Sequence, residues 1–164
     1  MEHINDYLIK THKLNKIFDV DFFSNAAKKG NASQQLLGIS DEVLEKYYEA
    51  ATSLLQQKKW DESRDAFLFL TFLNPTIHNF WMGLGISEQW LRRYDSALLA
   101  YSMAESTDPQ DPAVFANEFQ CNMATGAKDA AAASLKKALD ICGENDDFAN
   151  LKAQLLDYGK QLAY

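Results

Sequence analysis

The chain has 164 residues, 47% of them hydrophobic and 24% charged, with a formal charge of −7. That length and apolar share suit one domain with a substantial core, and seven glycines with three prolines exclude a collagenous or low-complexity chain. The acidic balance, with sixteen Lys and Arg scattered instead of gathered into a stripe, argues against a nucleic-acid partner.

Residues 1–43 precede any repeating pattern and read as a helical extension with a linker. The start, Met1-Glu2-His3-Ile4, lacks the basic flank and apolar run of a secretory signal, so a cytoplasmic location is expected. Ile4, Tyr7, Leu8, Leu14, Ile17 and Phe18 form an amphipathic stripe, a candidate surface for pairing two copies of the chain. Asn31 to Gln35 reads as a linker, and Ser40 followed by Asp41 and Glu42 as a helix N-terminus.

From residue 44 the chain repeats itself every 34 residues. Tyr47, Trp81 and Phe115 recur at that spacing, as do Phe67, Tyr101 and Leu135, Trp60 with Tyr94, and Pro75 with Pro109. The middle unit reads Trp81-x-x-Leu84-Gly85, then Tyr94, Ala97, Tyr101, Ala104 and Pro109, which is the tetratricopeptide (TPR) signature. Large residues fill the space between helices, alanines let helices approach closely, and proline stops the second helix of a unit. The expected fold is therefore all-α: three tandem TPR hairpins in a superhelix, over 44–77, 78–111 and 112–145. In the third unit Glu118-Phe119 replaces Leu-Gly and Gly143 replaces proline. Residues 146–164 read as a capping helix, with Phe148, Leu151 and Leu155 on one face and Lys152, Gln154 and Asp157 on another.

Ala66 to Ser87 holds no formal charge, but Asn74-Pro75 interrupts it, so no stable membrane insertion is expected. Cys121 and Cys142 form no CxxC pair, and His3, His12 and His78 share no ligand spacing. Both cysteines read as buried free thiols. No catalytic, cofactor or metal site emerges, and the chain is expected to bind instead of catalyse.

A stack of hairpins presents one distinctive surface, the concave face made by the first helix of each unit. Its inward positions are Glu45, Tyr48, Thr52, Leu55, Gln56 and Lys59 in the first unit, and Asn79, Met82, Ile86, Gln89, Trp90 and Arg93 in the second. The third supplies Ala113, Ala116, Gln120, Met123, Ala124 and Ala127. This lining is aromatic, aliphatic and Met-bearing, with cations only at its edges, so it suits an apolar extended segment better than an acidic peptide. Trp81 and Leu84 are expected to be structural, and Tyr48 and Trp90 to be anchors for a ligand with little part in stability.

Three TPR units after about forty further residues, with Tyr47-Tyr48, Phe80-Trp81-Met82-Gly83-Leu84-Gly85 and Tyr94-Asp95-Ser96-Ala97 at their places, resemble the class II type III secretion chaperones of the SycD/LcrH family. The resemblance runs over roughly residues 36–145. It implies a cytoplasmic chaperone that holds hydrophobic translocator proteins by an extended segment in the concave groove, and a homodimer formed through the N-terminal segment. A TPR adaptor joining two folded proteins is the alternative that the repeats alone leave open.

Overall fold

A computed structural model describes residues 33–162, with side chains through residue 160. Among the described residues there are eight α-helices and no strand. They are α1 (Ser33–Leu37), α2 (Asp41–Gln56), α3 (Trp60–Leu73), α4 (His78–Trp90), α5 (Tyr94–Thr107), α6 (Pro112–Thr125), α7 (Lys128–Cys142) and α8 (Ala149–Leu162). A single 3-10 turn at Asp146–Phe148 leads into α8. Each helix from α2 onward packs on the next, giving the hairpins α2–α3, α4–α5 and α6–α7, and the first helices α2, α4 and α6 also touch one another. The amphipathic stripe at residues 4–18, and the self-association expected of it, lie outside the described residues.

Local chemistry explains the boundaries. The Ser40 hydroxyl accepts from the Val43 amide at 3.3 Å, with Asp41 and Glu42 in the first turn of α2. Asp111 caps α6 by accepting from the Ala113 amide, and Pro112 occupies the first turn, where its missing N–H costs nothing. The turns inside the three hairpins share one backbone device. Lys58, Arg92 and Gly126, one repeat apart, all take the left-handed conformation, with φ of 59°, 59° and 78°. Only the glycine announces this in the sequence, because Lys and Arg rarely adopt it.

The expected linker at Asn31–Gln35 is corrected by α1, which begins at Ser33. Its composition is polar, but Gln34 is only 4% exposed. The Gln34 side-chain amide donates to Asp41 at 2.6 Å and accepts from Asn74 at 3.0 Å, while Leu37 is buried. Tertiary contacts outweigh a weak local preference there.

The core depends on aromatic rings laid onto glycines. Phe67 of α3 and Tyr101 of α5, 2% and 0% exposed, approach α4 from its two neighbours. A methyl group at Gly83 would fall 2.2 Å from the Phe67 ring, and one at Gly85 would fall 2.4 Å from the Tyr101 ring. Trp81 packs against the two halves of the core and donates its indole N–H to the Pro75 carbonyl at 2.7 Å. In the third unit Phe119 stands where Gly85 does in the second and Leu135 where Tyr101 does, so the large and small members are exchanged. Phe119 stacks on Tyr158 of α8 at 5.5 Å, and this contact ties the terminal helix to the array.

Two stability changes of opposite sign follow. Gly85→Ala should destabilise in thermal or urea unfolding by about 1–3 kcal/mol, because overpacking outweighs the ~1 kcal/mol that alanine gains in a helix. Lys58→Gly should stabilise by up to ~1 kcal/mol, since glycine relieves a left-handed residue that is solvent-exposed.

Candidate functional site

The face formed by α2, α4 and α6 carries two clefts. The first, about 280 Å³, lies between the N-terminal halves of α2 and α4, where Leu44, Tyr48, Ile77 and Phe80 are its apolar lining and Asp41 and Glu45 its acidic rim. The second, about 460 Å³, lies between the C-terminal ends of α4 and α6 and is lined by Gln89, Trp90, Arg92, Tyr94, Gln120 and Ala124. Alternate helices of the stack run the same way, so the two clefts sit at diagonal corners of one face.

The positions expected to line a groove differ in where they fall. Glu45, Tyr48, Asn79, Gln89, Trp90, Gln120 and Ala124 line the clefts. Met82 and Ala116 do not: they are 9% and 6% exposed and belong to the core, turned inward from α4 and α6. Leu55, Ile86 and Met123 are half-buried against the core, Lys59 is exposed at the start of α3, and the Thr52 hydroxyl donates to its own helix at the Tyr48 carbonyl, 2.9 Å away. Arg93 is engaged by acids, with its guanidinium 3.8 Å from both Asp61 and Glu88. The sequence reading passed over Arg92, Tyr94, Leu44, Ile77 and Phe80. Arg92 could have been found from its register with Gly126, which puts it in the same exposed turn.

Tyr48 and Trp90 turn out to differ. The Tyr48 ring packs edge-on to Phe67 at 6.2 Å and lies 5.6 Å from Phe80, so it supports the core as well as the cleft. Trp90 is 62% exposed and stacks flat on Trp60 at 5.0 Å, one face covered and the other open to the cleft. Gln89 fixes the floor between the helices: its amide donates to Gln120 at 2.9 Å while its carbonyl oxygen accepts from the Tyr101 hydroxyl at 2.7 Å. Both side chains on that floor are held before a ligand arrives.

The titratable groups inside the array are structural. Cys121 and Cys142 are free and buried; burial, then the nearby Glu118 carboxyl, pushes the Cys121 thiol up to about 11, so it stays protonated and unreactive near neutrality. Burial raises the Tyr101 hydroxyl still further. His78 ties α4 to its neighbours, with Nδ1 3.0 Å from the Ala104 carbonyl and Nε2 2.9 Å from Asp111. Among the described residues no cluster of His, Cys, Asp and Glu could hold a metal ion, and no helix is long and apolar enough to cross a membrane.

No protein-family model matches the chain. Low calcium response locus protein H of Yersinia pestis is 26% identical over 128 residues, 78% of this chain and 76% of that protein. Pseudomonas aeruginosa PcrH, solved with the chaperone binding region of PopD, superposes with a TM-score of 0.75 at 25% identity, over 77% of this chain and 95% of PcrH. The chain resembles the type III secretion translocator chaperones in sequence and fold alike. The Yersinia enterocolitica translocator chaperone SycD, solved with a peptide of the translocator YopD, has the same fold, with a TM-score of 0.74 at 24% identity over 76% of this chain and 95% of SycD.

The Glu118 carboxyl on α6 is also raised above its ordinary range. Glu118 accepts from Ser134 at 3.3 Å, and burial, aided by Glu105, raises its carboxyl, with the Ser134 hydrogen bond and Lys137 acting against them. Lys137 pairs with Glu105 and lies 4.3 Å above the Phe115 ring. A carboxyl raised on folding binds its proton more tightly in the native state, so its contribution to stability is present below the unfolded value and is lost as pH climbs through the folded one. Glu118→Gln should therefore be more stable than the parent near neutral pH, with the gain vanishing toward acid; urea unfolding across pH checks this.

Proposed function

We propose that the chain is a chaperone of hydrophobic type III secretion translocators, holding an extended segment of the cargo across the face of α2, α4 and α6. The carrying observation is that this face, with its two clefts, belongs to a fold in which PcrH and SycD are solved with segments of the translocators PopD and YopD. The role is binding without turnover, in the cytoplasm, before export. Three TPR units over 44–77, 78–111 and 112–145 form the working body, residues 146–164 cap it, and residues 1–43 supply the pairing surface of a homodimer.

The physical task explains the site. A translocator carries membrane-inserting segments that aggregate when exposed, and capturing one anchor segment lowers the free concentration of that exposed chain. Anchoring needs rigid apolar surface, which Trp90 on Trp60 and Tyr48 beside Phe80 provide at low entropic cost. Leu55, Ile86 and Met123, half-buried between the clefts, supply adaptable apolar surface.

Trp90→Ala should leave the thermal midpoint nearly unchanged and weaken cargo binding by about 1–3 kcal/mol. Tyr48→Ala should weaken binding and also cost roughly 1–3 kcal/mol of stability through its lost ring contacts. Calorimetric unfolding, with co-purification from cells that express a translocator bearing long apolar segments, separates the two effects. A folded Trp90→Ala, Tyr48→Ala double variant that retains full affinity would remove this face as the site.

A further inference from the structure

The two clefts carry opposite charge. Asp41 and Glu45 rim the cleft of Tyr48 and Phe80, and Glu45 has no ion pair among the described residues. The cleft of Trp90 is lined instead by Arg92, which also has no ion pair among the described residues. Lys58 and Lys59 immediately precede Trp60, whose ring lies under Trp90. The nearby carboxylates of Asp61 and Glu88 face Arg93, so they leave Arg92 free for another anion. This cationic corner stands out on a chain whose formal charge is −7.

We propose that the face is electrostatically polar and selects an extended segment that bears a cation at one end and a carboxylate at the other, around an apolar middle. This rests on the reading of the face as a cargo groove and adds the chemistry and register of the cargo. The cation sits at Asp41 and Glu45, the carboxylate at Arg92, and apolar side chains enter beside Tyr48 and Trp90. Phe80 and Trp90 lie about 15 Å apart along α4 at 1.5 Å per residue. One step between helices adds about 9 Å sideways. The diagonal of about 17 Å corresponds to roughly five residues of extended chain, which sets the length of the apolar middle between the two charges. Such pairs add little to affinity, but they penalise a segment with the wrong charge at either end and thereby fix its register.

Three labelled peptides with the same five-residue apolar core, flanked by Lys and Glu, by two Lys, or by two Glu, test this by fluorescence anisotropy with the full chain. The Lys/Glu peptide should bind about three- to tenfold more tightly than either of the others at low salt, and the difference should fade near 0.5 M salt, where the Debye length is only about 4 Å. Glu45→Lys should shift the preference to the two-Glu peptide and Arg92→Glu to the two-Lys peptide. Arg92→Gly, which suits the left-handed backbone there, should abolish the preference for a Glu end without straining the fold. Equal binding of all three peptides, or tightest binding of the two-Lys peptide to the parent chain, overturns the charge polarity and leaves the groove intact. Failure of every peptide to bind the parent chain overturns the groove reading as well.

Discussion

Two rings resting on two glycines hold α4 between its neighbours, and the remainder of the array is arranged around that contact. Phe67 and Tyr101 come so close to the α4 backbone that no side chain fits at Gly83 or Gly85. Close approach lets each ring be buried almost completely, which is worth about 1.5–3 kcal/mol for a side chain of this size. It also fixes the rotation of α4 about its axis. With that rotation set, Met82 turns into the core, while Gln89 and Trp90 turn toward the cleft. The face that carries both clefts is in this sense a consequence of the packing.

Much of this was legible in the sequence because a repeat exposes its own rules. The 34-residue register located all three hairpins, and the recurrence of Phe67, Tyr101 and Leu135 identified residues that are buried in each. Ser40 marked the start of α2 through local chemistry that does not depend on the rest of the fold. Three things resisted. The short helix α1 is held by Gln34, whose partners Asp41 and Asn74 are brought to it only by folding. The left-handed turns at Lys58 and Arg92 carry residues that do not advertise that conformation. Helical periodicity placed Met82 and Ala116 on the same face as Gln89 and Gln120, yet part of that face is core, and depth cannot be read from angle alone.

The same limit explains why Tyr48 and Trp90, alike in the sequence as aromatic residues at groove positions, differ in the molecule. Tyr48 lies midway along α2, where Phe67 and Phe80 both reach it. Trp90 is the last residue of α4, where its ring stacks on Trp60 and stays 62% exposed. An aromatic residue in mid-helix is surrounded by packed neighbours, whereas one at a helix end keeps an open face. Position along the helix therefore separates supporting residues from anchors more sharply than residue type does.

A holding site must also release what it holds, and the geometry bears on that. Clefts of about 280 and 460 Å³ admit one or two side chains each, so affinity rests on a few anchors instead of an extensive buried interface. Burying two or three apolar side chains supplies about 3–9 kcal/mol before the costs of ordering an extended segment are subtracted. A dissociation constant of 1 µM corresponds to about −8.2 kcal/mol, so a site of this kind falls in or below the micromolar range of strength. Its floor is already fixed by the Tyr101–Gln89–Gln120 hydrogen bonds, so little of that free energy is spent on ordering the chaperone itself. Binding at that strength requires no energy source to reverse. Release then follows from any competing pull on the segment.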